Sequence, residues 1–167
     1  MGKIIRESDM DFIADNTFHM ERSPLYTELS RNGIRTVEFI RVKGDDIIFL
    51  EAKTAFPKPD NNPSAEDPGR FKIALNEVCE KLIHLLNLYS SIKVGVRKIQ
   101  LPEDFLPPDK VTLKFVLVVK NHELEWCRII KDALIMVMPS YINKIWQPEV
   151  YVINHDTAIK KKLAIMR

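Results

Sequence analysis

Glycine and cysteine are scarce in this chain of 167 residues, which has five glycines and two cysteines. The glycines form neither a P-loop nor a G-x-G-x-x-G turn, which argues against nucleotide binding by those two routes. No G-x-S-x-G elbow supports Ser-His-Asp catalysis, and the four histidines lack the spacing of metal ligands. Cys79 and Cys127 have no C-x-x-C spacing and stand in segments of helical pattern, so we interpret them as buried thiols.

Long apolar runs are also lacking. No stretch approaches the ~18 residues of a membrane span, and the polar start MGKIIRESDMDF does not resemble a signal peptide. A myristoylation signal is disfavoured as well, because Arg6 stands where serine or threonine is required. With 46% hydrophobic residues, 29% charged residues and a net charge of +2, the composition is that of an ordinary globular protein. We therefore predict one cytoplasmic domain over residues 1–167, with no membrane partner.

Three segments carry apolar residues at the three- and four-residue steps of a helix. They lie at 23–33, 70–91 and 121–138, and Ser23 followed by Pro24 gives the first a clear N-terminus. The basic segment HDTAIKKKLAI near the C-terminus predicts a further short helix. Helices are therefore expected to make up a large part of the fold.

Strands are predicted where β-branched or alternating residues occur. The strand segments are a hairpin at 36–54, a short alternating stretch at 92–96, and runs at 111–120 and 149–154. Proline-rich stretches at 55–69 and 101–110 predict surface loops. Strands that alternate with long helices indicate an α/β fold, with a mixed central sheet flanked by helices on both faces and parallel pairing in its second half.

The hairpin TVEFIRVKGDDIIFLEAKT places charges among residues that favour burial. A two-residue turn at Gly44-Asp45 sets Glu38 opposite Glu51, with Lys53 on the same face. Opposed carboxylates repel unless positive charge lies between them, and Lys53 or a divalent cation such as Mg²⁺ would supply it. Two other registers stay open at this point. A turn longer by two residues would pair Glu38 with Lys53 in a salt bridge without function, and a turn longer by one would move Glu38 to the other face.

The segment VEFIRVKGDDIIFLEAK resembles the core of the PD-(D/E)XK nuclease superfamily, which includes restriction enzymes and Holliday-junction resolvases. In that family an acidic residue on one strand and a (D/E)-x-K on the next bind Mg²⁺ and position the attacking water. The resemblance implies that Glu38 and Glu51 are metal ligands and that Lys53 orients the water. It also implies a restriction endonuclease-like fold and hydrolysis of DNA that depends on Mg²⁺ or Mn²⁺. A further acid is expected on the preceding helix, with Glu28 as the first candidate and Glu21 as the second.

The match departs from the family pattern at Glu38, which replaces the usual aspartate, and at Thr36-Val37, where a proline is more common. The long helix also lacks the Gln-x-x-x-Tyr of the RecB-like branch. Asp46 is an alternative first acid, but at the hairpin turn it would point away from Glu51.

Partner contacts are expected at two places. Lys58, Arg70 and Lys72 follow the hairpin and, together with the KKK run at 160–162, are predicted to hold the phosphate backbone of DNA. The segment SYINKIWQPEVYVI is rich in large apolar residues and suggests a homodimer surface. A second interpretation is a non-catalytic α/β interaction or assembly module of similar fold, in which Glu38, Glu51 and Lys53 are a relic or a salt bridge.

Overall fold

The computed structural model of the chain describes residues 2–59 and 69–166. No helix in these two ranges is long and apolar enough to cross a membrane. The strands and α-helices, in chain order, are β1 (Ile4–Glu7), β2 (Met10–Ile13), β3 (Thr17–Phe18), α1 (Pro24–Ser30), β4 (Phe39–Lys43), β5 (Asp46–Lys53), α2 (Gly69–Lys93), β6 (Thr112–Val119), α3 (Leu124–Val137), β7 (Glu149–Asn154), α4 (His155–Lys160) and β8 (Ala164–Ile165). A 3-10 helix spans Met20–Arg22 and a π-helix spans Ile142–Trp146.

The main sheet has five strands in the order β3-β4-β5-β6-β7. The pairs β3-β4 and β4-β5 are antiparallel, whereas β5-β6 and β6-β7 are parallel. Strands β5 and β6 occupy the interior of the sheet and are buried along most of their length, as expected for runs of valine, isoleucine and leucine covered on both faces. The predicted mixed sheet, with its parallel second half, is confirmed.

The hairpin register is the one that a two-residue turn requires. Lys43 pairs with Asp46, and the ladder continues to Phe39 opposite Leu50. Gly44 has φ +60°, the left-handed conformation that suits glycine at the first position of a type II′ turn. The next residues outward are Glu38 and Glu51, so both longer turns are excluded.

Helices α1, α2 and α3 cover one face of the sheet. Ser23 begins α1, because its Oγ accepts a hydrogen bond from the backbone N–H of Tyr26 at 3.1 Å, which satisfies one of the free donors of the first turn. In the core below, Phe49 stacks on Phe115 with ring centroids 5.7 Å apart and meets Tyr89 of α2 edge-to-face at 6.0 Å. The predicted helices at 23–33 and 70–91 are confirmed.

The other face differs from the expectation of helices on both sides. It is covered by a second, three-stranded sheet in the order β1-β2-β8 together with the short helix α4. Phe12 of β2 packs edge-to-face on Phe39 with centroids 5.5 Å apart. Residues 1–22 show no clear period because their strands have four residues or fewer, too few for a pattern to emerge.

Two predictions of secondary structure were wrong, one strand and one helix start. The strand expected at 92–96 does not form, since Ile92 still belongs to α2 and Val94 and Val96 are each 75% exposed. Helix α3 begins at Leu124 rather than at Asn121. Residues 101–110 contain neither helix nor strand, and of the predicted loop 55–69 the part 60–68 lies outside the described residues.

Candidate active site

Two adjacent strands bring the predicted site residues to one face of the sheet. Glu38 directly precedes β4, and Glu51 and Lys53 lie at the end of β5, where they contact Lys81 and Glu77 of α2. Glu51 is 0% exposed and Glu38 is 7% exposed. Burial of a carboxylate is costly unless a cation or hydrogen bonds compensate it, so the surroundings of these two residues decide what the site can do.

Helix α2 supplies the charges that face Glu51 and Lys53. Lys81 Nζ donates to Glu51 Oε1 at 2.7 Å, and Lys53 Nζ lies 3.4 Å from the same oxygen. Lys53 Nζ is also 3.5 Å from Glu77 Oε1. Four residues of helix and two residues of strand both span about 6–7 Å. Glu77 therefore lies opposite Lys53, and Lys81 lies opposite Glu51.

The N-terminal segment adds carboxylates and a histidine. Ligand atoms of Glu7, His19 and Glu38 all lie within 4.8 Å of one another. Glu21 is hydrogen-bonded to Glu38 and has Oε1 3.9 Å from Lys81 Nζ. We call Glu7, His19, Glu21, Glu38 and Glu51 the acidic cluster. The cluster contains four carboxyl groups. The N-terminal segment is fixed against β5 by a hydrogen bond, because Ser8 Oγ in the turn between β1 and β2 donates to the carbonyl of Ala52 at 2.9 Å.

Burial and charge shift the proton affinities of the cluster. Burial raises the pKa of Glu38 to about 9, and the carboxylates of Glu51 and Glu21 reinforce the rise. Burial also raises the pKa of Glu51, against the opposing effect of the Lys81 and Lys53 ammonium groups. Burial and the nearby Arg22 lower the pKa of His19 to about 4, which leaves a neutral imidazole at pH 7.

Two buried carboxyl oxygens are candidate metal ligands. Glu38 Oε2 and Glu51 Oε2 accept no hydrogen bond from the described residues. Leaving a buried polar atom unsatisfied costs about 1–3 kcal/mol, and more if the group is charged. Carboxylate oxygens are the ligands preferred by Mg²⁺ and Mn²⁺, so the residues present fit such an ion.

A cleft opens beside the acidic cluster. It has a volume of about 850 Å³ and reaches His19 and Arg22. Lys3 and Lys98 also line it, so cations stand at the approach to the carboxylates. An anionic substrate would be attracted along this path.

Three of the predicted DNA-contacting residues lie near the N-terminus of α2. Arg70 and Lys72 are exposed in its first turns, and because α2 runs antiparallel to β5 this end lies beyond Lys53. Lys58 is exposed, with Nζ 4.7 Å from the ring centroid of Trp126. These positions place all three side chains toward the end of the molecule that holds the acidic cluster.

The structure distinguishes among the other acidic residues that the sequence offered for the site. Glu28 lies outside the acidic cluster, since its carboxylate is 3.5 Å from Arg97 Nη1 and its side chain is 64% exposed. Glu21, the second candidate, is the one beside Glu38. Asp46 pairs with Lys114 at 2.7 Å at the opposite end of β5, away from Glu51.

Sequence reasoning missed Glu7, His19, Glu77 and Lys81. A signal existed for the last two, because Glu77 and Lys81 stand four residues apart, each directly before a buried residue of the apolar stripe. Glu7 and His19 offered none, since they lie in the segment without a clear period. Comparisons with protein-family models, with characterised proteins and with solved structures give no match for this chain.

Proposed function

We propose that this protein is a divalent-metal-dependent nuclease of the PD-(D/E)XK type, which hydrolyses phosphodiester bonds of DNA. The observation that carries the proposal is the buried pair Glu38 and Glu51 beside the ammonium of Lys53, each with an Oε2 that has no hydrogen-bond partner in the described part of the chain. Two buried carboxyl groups with unsatisfied oxygens are unfavourable in a purely structural core and suit a cation site.

Glu38 would hold Mg²⁺ or Mn²⁺ together with Glu51 and Glu21, whose charges act on it, and Glu7 and His19 have ligand atoms within 4.8 Å of its own. When bound, the ion supplies Lewis acidity that activates water and offsets the charge of a phosphorane-like transition state. The imidazole of His19 adds a nitrogen donor, which a transition metal such as Mn²⁺ accepts more readily than the hard cation Mg²⁺ does. We therefore expect Mn²⁺ to support activity.

The two lysines have different roles in this proposal. Lys53 is 30% exposed at its side chain and lies between the carboxylates of Glu51 and Glu77, where it can orient a water or stabilise a phosphate oxygen. Lys81 is only 11% exposed and donates to Glu51. It is a positioning residue, because it fixes one oxygen of Glu51 and leaves the other free for the ion.

Binding of the DNA backbone would use the surrounding cations. Lys3, Arg22 and Lys98 line the cleft beside the cluster, and Arg70 and Lys72 stand at the N-terminus of α2. Neutralised phosphates release counterions, so binding should weaken steeply with salt.

Cleavage of plasmid DNA tests the proposal. The wild-type protein should nick supercoiled plasmid in Mg²⁺ or Mn²⁺ and be inactive in EDTA. Lys53→Ala and Glu51→Gln should each lower the rate at least about a hundredfold, as expected when an electrostatic group of the reaction is removed. Lys93→Ala, at the exposed C-terminal end of α2, is the matched control and should retain the wild-type rate. Absence of cleavage of supercoiled, linear and single-stranded DNA in both metals would overturn the proposal.

A second candidate is a non-catalytic interaction or assembly module. The observation in its favour is that Glu51 Oε1 already contacts two ammonium groups, Lys53 and Lys81, so that this carboxylate is compensated within the chain. Such a module would show no metal-dependent cleavage, and Lys53→Ala would change its stability alone.

A further inference from the structure

A second concave site lies at the opposite end of the main sheet. Asp46 begins β5 and lines this site, whereas Lys53 ends the same strand, and the strand between them spans roughly 20 Å. Ile48, Val116 and Ile153 form an apolar floor on the face turned away from α2. The cavity has a volume of about 500 Å³, within the range of small-molecule sites.

Lysines dominate the rim of this cavity. They are Lys43, Lys114, Lys160, Lys161 and Lys162. Among the described residues, the carboxylates ion-paired with them are Asp46 and Glu149, both on Lys114, at 2.7 and 3.7 Å. The rim therefore carries an excess of positive charge, and burial together with Arg41 and Lys162 lowers the pKa of Lys43.

The lysine-bearing turn after α4 is held in a fixed position. Arg41 Nη1 donates to the carbonyl of Lys162 at 2.9 Å, and Lys43 Nζ donates to the carbonyl of Lys161 at 2.7 Å. Lys162 itself has φ +56°, a left-handed conformation that persists in a non-glycine residue only where its surroundings enforce it. The side chains of this turn are thus presented on a rigid base, which lowers the entropy cost of binding a ligand.

Tyr151 places an aromatic ring in the same cavity. Three ammonium groups surround the ring, with Nζ of Lys114, Lys131 and Lys161 at 5.9, 5.7 and 5.8 Å from its centroid. The Tyr151 hydroxyl donates to Glu149 at 2.7 Å, which fixes the orientation of the ring. Asp46 and Glu149 compensate Lys114, and an anion beside Lys131 and Lys161 would relieve the repulsion between these two like charges.

We propose that this cavity binds a free nucleotide, with the base against Tyr151 and the apolar floor and with the phosphates on Lys160, Lys161 and Lys162. A nucleotide has a flat, largely apolar base that fits the floor of the cavity. It also has several phosphates, which fit the lysine rim. A cavity of about 500 Å³ accommodates one nucleotide and is too small to enclose a duplex. The proposal does not depend on hydrolysis at the acidic cluster.

Calorimetry on the full chain in EDTA tests this site, because the chelator prevents ATP from binding through a metal at the acidic cluster. The probes are ATP, tripolyphosphate and adenosine. ATP should bind at least about tenfold more tightly than either part alone. Replacing two lysines in Lys160→Gln/Lys161→Gln should weaken ATP by about tenfold or more, as expected for lost charge-assisted hydrogen bonds. Lys93→Gln, which removes a charge outside the cavity, should leave the affinity unchanged.

Tyr151→Leu removes the aromatic ring and keeps the lysines, so it measures the contribution of the ring to binding. It should weaken ATP several-fold and leave tripolyphosphate unaffected, with circular dichroism confirming that the variant is folded. Equal affinity for tripolyphosphate and ATP would reduce the site to a polyanion surface and overturn the proposal. Absence of ATP binding, tight binding of a single-stranded oligonucleotide in place of ATP, or indifference to the lysine substitutions would overturn it as well. None of these results would alter Mn²⁺ binding at the acidic cluster, so the two proposals fail independently.

Discussion

Glu38 is a residue whose charge state depends strongly on its surroundings. It is 7% exposed, and burial raises its pKa to about 9, with further repulsion from Glu51 and Glu21. The side chain is therefore protonated at neutral pH in the metal-free protein and donates to a neighbouring carboxylate. A divalent ion would displace that proton, since metal ligands must be deprotonated. Glu38 thus couples metal binding, pH and stability.

The pH dependence of stability should show the effect of Glu38. The pKa is 4.5 ordinarily and about 9 in the folded chain, so the folded state retains a proton that the unfolded state releases between these values. Its contribution to stability is complete below pH 4.5 and is lost as the pH rises toward 9, by at most about 1.4 kcal/mol per pH unit. Glu38→Gln should remove this loss.

Thermal denaturation in EDTA measures how the contribution of Glu38 to stability changes with pH. The melting temperature of Glu38→Gln, relative to wild type, should rise progressively from pH 5 to pH 8. Glu28→Gln, whose carboxylate is exposed, serves as the control and should show no such trend. Parallel pH curves for wild type and Glu38→Gln would contradict the assignment of a raised pKa.

At the scale of elements, the site depends on the match between α2 and β5. Glu77 and Lys81 are four residues apart on the helix, and Lys53 and Glu51 are two apart on the strand, so each carboxylate meets an ammonium. Burial alone would lower the pKa of Lys81, but the Glu51 and Glu21 carboxylates reverse the shift and raise it. This pairing links the longest helix to the centre of the sheet.

Breaking the pair from one side should be strongly destabilising. Lys81→Met leaves Glu51 buried without its closest donor, and we expect a loss of about 3–5 kcal/mol in the free energy of unfolding. The double variant Lys81→Met/Glu51→Gln should recover part of the loss, because the uncompensated charge is gone. Urea denaturation of the two single variants and the double variant gives the coupling energy. Additive losses would show that the two groups do not interact.

Local signals made the hairpin and the long helices predictable. Gly44-Asp45 specified the turn, and the alternation around it specified which residues share a face, so the amino-acid pattern alone grouped Glu38, Glu51 and Lys53. The second sheet could not be predicted, because β2 pairs with β8 from the far end of the chain and neither strand carries a pattern of its own. Glu7 and His19 enter the site through that N-terminal segment and were missed for this reason.

The whole molecule separates its charges, although the net charge is only +2. Carboxylates gather near the carboxyl end of β5, whereas lysines gather near its amino end. Large apolar side chains are also exposed between residues 136 and 146, where Met136, Tyr141, Ile145 and Trp146 are exposed by 85, 52, 71 and 44%. Exposed apolar residues so close together in the chain indicate an apolar surface, and such surfaces are typical of an interface.

We expect this apolar surface to form a homodimer. Light scattering after size exclusion should give twice the 19.4 kDa chain mass at micromolar concentration. Ile145→Asp should shift the protein to the monomer, because a buried unpaired charge at an interface is strongly unfavourable. Val94→Asp, at another exposed apolar position, should leave the dimer intact. A wild-type protein that stays monomeric at high concentration would contradict the expectation.

The central claim is that Glu38 and Glu51 form a metal site, and calorimetric titration with Mn²⁺ at pH 8 tests it most directly. The wild-type protein should bind about one equivalent with release of protons, since Glu38 is protonated in the free protein. Glu38→Gln and Glu51→Gln should each abolish that binding, whereas Glu28→Gln should preserve it. Binding that survives both substitutions, or no binding by the wild type, would contradict the account.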